Sequence, residues 1–554
     1  MQDNQLPDSR FGVAEAFWAP EDAVELGVGW ERILFYWKEI QPEGPDDWNT
    51  LHVREEWLVD AEANGREVVG LLKNTAIWAS EDGTEAGLPI GLDLPVEDPA
   101  NYWANYTRRI AQYYSPRNVH NWIIWNEPEI TADTYGYEFA GSVEDYYRLL
   151  KVAYQVIKEV DPEATIHLAG VTWWHDQTFL RRLFDIAAAD PEADENGWFF
   201  DVISLHIYFR PDSVYSIVQQ VQELQQEYGL DKSIWLNETN APPNRDPLWP
   251  VDRPSFQVDL DQQAWFIIQA TALALSAGTE RVAVYKLADV MLPEGGESFG
   301  LVRQDSSRRP AFMAYAATID NIEHFSEVTL KQHPHYYVAT FARPDHVTRI
   351  AWARTKQGVV LEMPALADSA TLVNFLGNSA DVTATDGVYV IALLPAVCHE
   401  ECLIGGAPVF IVEESAGEDI RQIETAVAIA GVQPTPFTYA SATPYPTSTA
   451  TATITPTSSP SPAPSRTSDD PLLLVETKVE PTTAFPDEGA AEIRLTTEKT
   501  DYVETPEPSE DSSDLDENEF NDEGLEKYLG LLLLAVAFIL LVLLTAHALK
   551  RRTR

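Results

Sequence analysis

Two glutamates in this chain close runs of apolar residues. Glu127 follows Trp-Asn in NWIIWNEPE, and Glu238 ends SIWLNE just before a proline-containing stretch. A glutamate at a strand end is ordinarily a solvated turn residue, and an Asn-Glu-Pro tripeptide arises by chance. Taken as a pair, however, they fit one specific chemistry. A carboxylic acid protonates a leaving oxygen while a carboxylate attacks carbon or activates water, which is what glycosidic bond cleavage requires. The two must be protonated and ionised at the same pH. Burial and like-charge proximity are therefore expected to raise one pKa, and hydrogen bonds with a nearby cation to hold the other low.

Residues 11 to 322 alternate short apolar runs with amphipathic stretches. The runs are FGVAEAF, WERILFYW, REVVGLL, NWIIWN, TIHLAGV, DVISLHIYF, SIWLNE and RVAVYK. SVEDYYRLLKVAYQVIKEV and DSVYSIVQQVQELQQEYGL, which lie between them, carry apolar residues at three- and four-residue spacing and predict helices. Near-continuous apolar strands separated by helices predict a parallel sheet covered on both faces. Eight such units in roughly 310 residues predict an α/β fold, a closed (β/α)8 TIM barrel over residues 10–324. The alternative, an open doubly wound sheet, usually carries a glycine-rich first turn that FGVAEAF lacks. In such a barrel the C-terminal strand ends face the active site. Glu127 then ends strand four and Glu238 strand seven.

WNEPE on strand four with LNET on strand seven resembles the clan A glycoside hydrolases, closest to the barrels of families five and thirty-nine, over residues 10 to 325. The resemblance implies that Glu127 is the general acid/base, that Asn126 binds the sugar 2-hydroxyl, and that Glu238 is the nucleophile of a retaining mechanism. It also implies that Tyr208, in the strand-six pattern His206-x-Tyr208, hydrogen-bonds the nucleophile, and that Arg32 on strand two supports it. Two positions depart from the family pattern and bear on substrate class. Strand eight offers Tyr285 and Lys286 where many members place a tryptophan. The loop NTAIWAS lacks a histidine common in family five but offers Asn74 and Trp78. Retention predicts carboxyl groups about 5 to 5.5 Å apart, whereas inversion needs more than about 6.5 Å.

Pyranose rings present C–H faces that stack on aromatic rings. Trp37, Trp78, Trp173, Trp174 and Tyr208 are candidate platforms, and core packing is the competing role for each. The TWWHD stretch is the strongest, because Trp173, Trp174 and His175 on one loop are not expected all to bury on one face. No metal or organic cofactor is expected: CHEEC offers Cys398, His399 and Cys402, with no second cluster to complete a tetrahedral site. The two cysteines of the chain, Cys398 and Cys402, fit either one small disulfide loop or two free thiols.

Residues 325–415 change to short β-rich runs with turn residues and predict an accessory antiparallel β domain. Residues 432–528 begin with a Thr/Ser/Pro tract and continue as an acidic stretch. They are expected to form a disordered tether resembling an O-glycosylated stalk. LGLLLLAVAFILLVLLTAHAL, residues 529–549, is apolar on every face and reaches roughly 30 Å, a bilayer core. The basic tail 550–554 is expected in the cytoplasm and everything before the span outside, giving a single-pass cell-membrane protein. No export signal is visible in MQDNQLPDSRFGV, so either the true start lies upstream or export uses another route, and the first is favoured. The formal net charge of -49 excludes a nucleic-acid partner, and nothing points to a protein partner. Three functions fit: a membrane-tethered retaining glycosidase acting on a β-linked glycan, a carbohydrate-binding surface protein that does not cleave, and a purely structural barrel. The paired strand-end acids favour the first.

Overall fold

The computed structural model describes residues 6–439, apart from 252–255, 294, 399–402, 415–418 and 424. Eight parallel strands close into a barrel in sequence order. They are β1 Phe11–Ala14, β2 Trp30–Tyr36, β3 Glu67–Lys73, β4 Asn121–Ile124, β5 Thr165–His167, β6 Val202–His206, β7 Ser233–Thr239 and β8 Arg281–Val284. The surrounding helices are α1 Pro20–Leu26, α2 Trp37–Ile40, α3 Glu55–Ala63, α4 Tyr102–Tyr114, α5 Val143–Val160, α6 Phe179–Ala189, α7 Pro211–Glu227, α8 Leu260–Ser276 and α9 Pro310–Ile322.

The strands read as apolar throughout because both faces are covered. On β3, Val69 and Leu71 join Trp30, Ile123, Val202 and Trp235 inside the barrel, while Val68 and Leu72 pack outward against the helices. Gly12 on β1 leaves room for the Trp30 indole, which a Cβ there would meet at 2.3 Å. The Ser142–Asp145 capping box starts α5, satisfying orphan backbone N–H groups at its first turn. The helix then buries Val143, Tyr146, Leu149, Leu150, Ala153 and Ile157, the three- and four-residue spacing that the sequence carries. A second box, Asp259 with Gln262, starts α8.

A β domain follows, built from two antiparallel sheets. Its strands are β9 Glu327–His333, β10 Tyr336–Ala342, β11 His346–Ala353, β12 Val359–Pro364, β13 Ser369–Asn374, β14 Ser379–Thr383, β15 Val388–Leu393, β16 Val409–Glu414 and β17 Val427–Ala428. One sheet has the order β14-β13-β16-β11-β10-β9 and the other β15-β12-β17. β10 is buried on both faces: Tyr337, Ala339 and Phe341 pack into the barrel-side core, Tyr336 and Val338 into the core between the sheets. Helix α8 is sheathed by this domain, and its buried glutamines act as clamps. The Gln269 amide donates to the Gly406 carbonyl at 3.0 Å and accepts the Gly405 N–H at 3.0 Å. The strands β9 and β14 lie at the edges of the larger sheet. Edge strands are half solvated, so their apolar pattern is diluted.

Cys398, between β15 and β16, is disulfide-bonded; Cys402 lies outside the described residues. So do the expected tether and the apolar segment 529–549. Among the described residues no helix is long and apolar enough to cross a membrane.

Candidate active site

The C-terminal mouth of the barrel gathers the chemistry. Arg32 shares the inward-facing parity of Trp30 on β2 and is buried. Strict alternation on β7 would point Trp235 and Asn237 inward and Glu238 outward. A register shift prevents this: Leu205 pairs with Leu236, but His206 pairs with Glu238, so β7 carries one extra residue. Such a bulge re-aims a side chain, and here it turns Glu238 into the mouth. On the β4 side the backbone leaves the strand through left-handed residues, Trp125 at φ 73 and Glu127 at φ 43. Non-glycine residues seldom adopt this region unless the surroundings hold them there. Here the Glu127 N–H bonds the Gly170 carbonyl at 3.1 Å and the Trp125 indole bonds the Glu138 carbonyl at 3.0 Å.

Glu238 is surrounded by partners. Arg32 forms an ion pair with Oε1, and the Tyr208 hydroxyl donates to Oε2. Burial alone would raise the Glu238 carboxyl pKa. The Arg32 guanidinium, His206 and the Tyr208 hydrogen bond outweigh it and leave the group below the usual carboxylate value. Burial and the Glu238 charge push the Tyr208 phenol far up, so it remains a donor at any working pH.

The buried His206 ring stands between the two acids. Its Nδ1 is 2.8 Å from Glu127 Oε1 and 3.5 Å from Glu238 Oε2, while its Nε2 is buried without a partner. That pattern fits an Nδ1–H tautomer. Gly170 lies against the ring; a Cβ there would meet Nε2 at 2.0 Å. One ligand atom from each of Glu127, His206 and Glu238 lies within 4.8 Å of the others. The trio has the donor types of a cation site, but Arg32 and Tyr208 already occupy Glu238 and His206 already bonds Glu127, so it is paired internally. Glu127 and Glu238 thus bring a carboxylate oxygen each within 4.8 Å of the other.

Further residues complete the mouth. The Asn126 amide donates to Glu138 Oε2 at 2.8 Å, and Lys73 meets Glu138 Oε1 at 2.5 Å. Lys286 pairs with Glu15 at 3.1 Å, beyond a cis Tyr285–Lys286 bond. The Tyr285 ring lies 6.4 Å from that of Tyr208, with Phe299 5.6 Å from Tyr285 and 5.7 Å from Tyr208. Phe299 is fixed by a buried network: Asp289 accepts the Gly300 N–H at 2.8 Å and pairs with Arg309 at 2.6 Å, and Arg309 also meets Asp246 at 2.9 Å.

Glu127, Glu238, Arg32, His206, Tyr208 and Tyr285 therefore converge, with Asn126 at the edge beside Glu138. The aromatic expectations divide. Trp37 is fully buried and stacks on Tyr106 at 4.8 Å, so it is core and not a platform. It is the first residue of α2, and that turn points it at the helices. Trp173 is only 8% exposed and packs as core, whereas Trp174 is 51% exposed, so the two do not bury together. The left-handed conformation of Trp173, φ 65, turns it inward and its neighbour outward. Trp78 is half-buried, its indole donating to the Gln41 carbonyl at 2.7 Å. Asn74 is bound to Glu85 at 2.7 Å. Glu15, Lys73 and Glu138 were not foreseen. Lys73 and Glu15 sit at strand ends and were findable there, whereas Glu138 reaches in from a loop without sequence periodicity.

No family model matches the chain, and no curated protein does. Among solved structures it resembles a family 39 glycoside hydrolase from the gut symbiont Bacteroides cellulosilyticus WH2, at 18% identity over 74% of this chain and 81% of that one, TM-score 0.58. It also resembles a GH30 endoxylanase from Clostridium papyrosolvens C71, at 12% identity over 74% of this chain and 97% of that one, TM-score 0.50. At these identities the likeness is one of fold.

Proposed function

We propose that this chain is a retaining glycoside hydrolase that cleaves β-glycosidic bonds in oligo- or polysaccharides, held outside a membrane by its C-terminal segment. The observation that carries the reading is the close approach of Glu127 and Glu238, with Arg32 and Tyr208 keeping Glu238 ionised. Glu238 attacks the anomeric carbon as Glu127 gives its proton to the departing oxygen. The bond to the leaving group breaks and a glycosyl ester forms on Glu238. Glu127, now a carboxylate, takes a proton from water, the water oxygen attacks the same carbon, and Glu238 is released. The likeness in fold to a family 39 glycoside hydrolase and a GH30 endoxylanase supports a carbohydrate substrate. The membrane tether rests on the apolar segment 529–549 and its basic flank.

The test is turnover of aryl β-glycosides and of β-glucan, mannan and xylan. Wild-type protein is expected to cleave at least one. Glu238→Gln is expected to lose at least about a thousandfold in kcat/KM, and Glu127→Ala to spare chiefly substrates with good leaving groups. Full activity in Glu238→Gln refutes the nucleophile assignment. Sugar binding without turnover across the panel refutes the hydrolase.

A further inference from the structure

Across the mouth from Glu127 lies a group of polar side chains that the bond-breaking step does not use. Glu15 follows β1 and Lys286 follows β8, which adjoins β1 and stands opposite β4 in the closed ring. Lys286 Nζ meets Glu15 Oε2 at 3.1 Å, the two side chains being 12% and 13% exposed. Backbone bonds fix both positions. The Glu15 N–H donates to the Arg32 carbonyl at 3.0 Å, and the Leu287 N–H to the Ala14 carbonyl at 3.1 Å. The pair is therefore carried on strand ends, where a side chain can be aimed more firmly than on a free loop.

Two tyrosines flank the pair. The Tyr285 ring lies 5.9 Å from the Lys286 ammonium and 5.9 Å from the Arg32 guanidinium. Tyr36 closes β2, its ring 5.7 Å from Lys73 Nζ. Both are partly exposed, and neither phenol has a hydrogen-bond partner among the described residues. Burial, then the Glu238 and Glu15 charges, push the Tyr285 phenol far up; burial, then Glu15 and Glu138, do the same to Tyr36. Both remain neutral O–H groups at any working pH.

In a double displacement one sugar stays esterified to Glu238 while the leaving group departs past Glu127. Groups on the β8–β1–β2 arc around Glu238 therefore face the retained sugar. A carboxylate and an ammonium 3.1 Å apart suit two neighbouring hydroxyls, one donating to Glu15 and the other accepting from Lys286. The charges here are already balanced. Arg32 pairs with Glu238, Lys286 with Glu15, Lys73 with Glu138 and Lys38 with Glu85. A sugar carboxylate entering this arc finds every one of these cations taken and meets carboxylates beside them.

We propose that Glu15 and Lys286 are specificity-determining residues: together they grip adjacent hydroxyls of the retained sugar, and the Glu15 carboxylate selects neutral glycosides against uronic acid glycosides. The inference rests on the hydrolase reading for turnover, but the choice of sugar is readable by binding alone.

Matched aryl β-glycosides test it on the full chain, glucoside against glucuronide and galactoside against galacturonide. Wild type is expected to favour the neutral member of a cleaved pair by about a hundredfold or more in kcat/KM. Glu15→Gln keeps the size, removes the charge and leaves Lys286 free for a carboxylate. It is expected to narrow that preference about tenfold or more, through a gain on the uronoside. Lys286→Met is expected to lose about tenfold or more on the neutral glycoside, with no gain on the uronoside. Damage to packing alone lowers both members alike, so an unchanged ratio in Glu15→Gln overturns the inference, as does a wild type that prefers the uronoside. Where neither pair is cleaved, calorimetry with wild-type protein separates this inference from the hydrolase reading. Methyl β-glucoside, β-galactoside or β-xyloside is expected to bind, and methyl β-glucuronide to bind only to Glu15→Gln. Equal binding of neutral sugar and uronoside to wild type, or binding of neither, overturns it.

Discussion

Arg32 and Glu238 illustrate how one residue fixes the state of another. A carboxyl buried as Glu238 is would hold its proton in the absence of a cation, and a protonated carboxyl is a poor nucleophile. Arg32 and Tyr208 reverse that balance. Replacing Arg32 by Gln leaves burial opposed only by His206 and Tyr208. The acidic limb of kcat/KM, which in the proposed mechanism follows Glu238 ionisation, is then expected to move to higher pH by about one to two units. A limb that stays in place contradicts the assignment. The stability consequence has the same origin. A carboxyl whose folded pKa is lowered contributes stability above its unfolded value, about 4.3, and loses it as pH falls through the folded value. Asn126 is constrained at this scale too: one N–H of its amide is committed to Glu138, leaving its second N–H and its carbonyl oxygen for a ligand.

At the scale of elements, the site depends on where strands stop behaving as strands. β7 shifts register between Leu236 and Thr239, and β4 ends in two left-handed residues. Gly170 follows β5, and its carbonyl holds the Glu127 N–H while its missing side chain admits the His206 ring. Gly170→Ala is expected to displace that ring, cost about 1–3 kcal/mol of stability through overpacking, and lower kcat by about tenfold or more while KM changes little. Urea unfolding and steady-state kinetics on the purified variant check both; an alanine variant with wild-type kcat removes His206 from the mechanism. The Asp246–Arg309–Asp289 network performs the corresponding task on the opposite side, tying the loops after β7 and β8 so that Phe299 backs Tyr208 and Tyr285.

For the whole molecule, the barrel and β domain share a core through α8, α9 and β10, so a cut between residues 322 and 327 would expose apolar surface on both sides. A cut after residue 439 falls outside the described fold. Protein ending there is expected to keep the full chain's kcat/KM on a soluble aryl glycoside and to remain in the supernatant when membranes are sedimented, while the full chain sediments with them. A full chain that stays soluble at high speed contradicts the tether. The formal charge of -49 adds a long-range bias: at low salt an anionic polysaccharide is repelled where a neutral one is not.

Much of this was legible in the residues. The eight apolar runs with intervening helical periodicity determined the barrel, because a sheet covered on both faces needs strands apolar on both. The strand-end glutamates determined where chemistry was to be sought. What the sequence by itself left open was aim. Period-two alternation places Glu238 on the wrong face, and only its pairing with His206 across a shifted register brings it inward. Likewise, the WW pair does not say which ring stays exposed until a left-handed Trp173 buries its own. Periodicity is a local property of one segment. Register, left-handed residues and the burial of a carboxyl depend on the neighbouring strand or loop, and are decided only when the barrel closes.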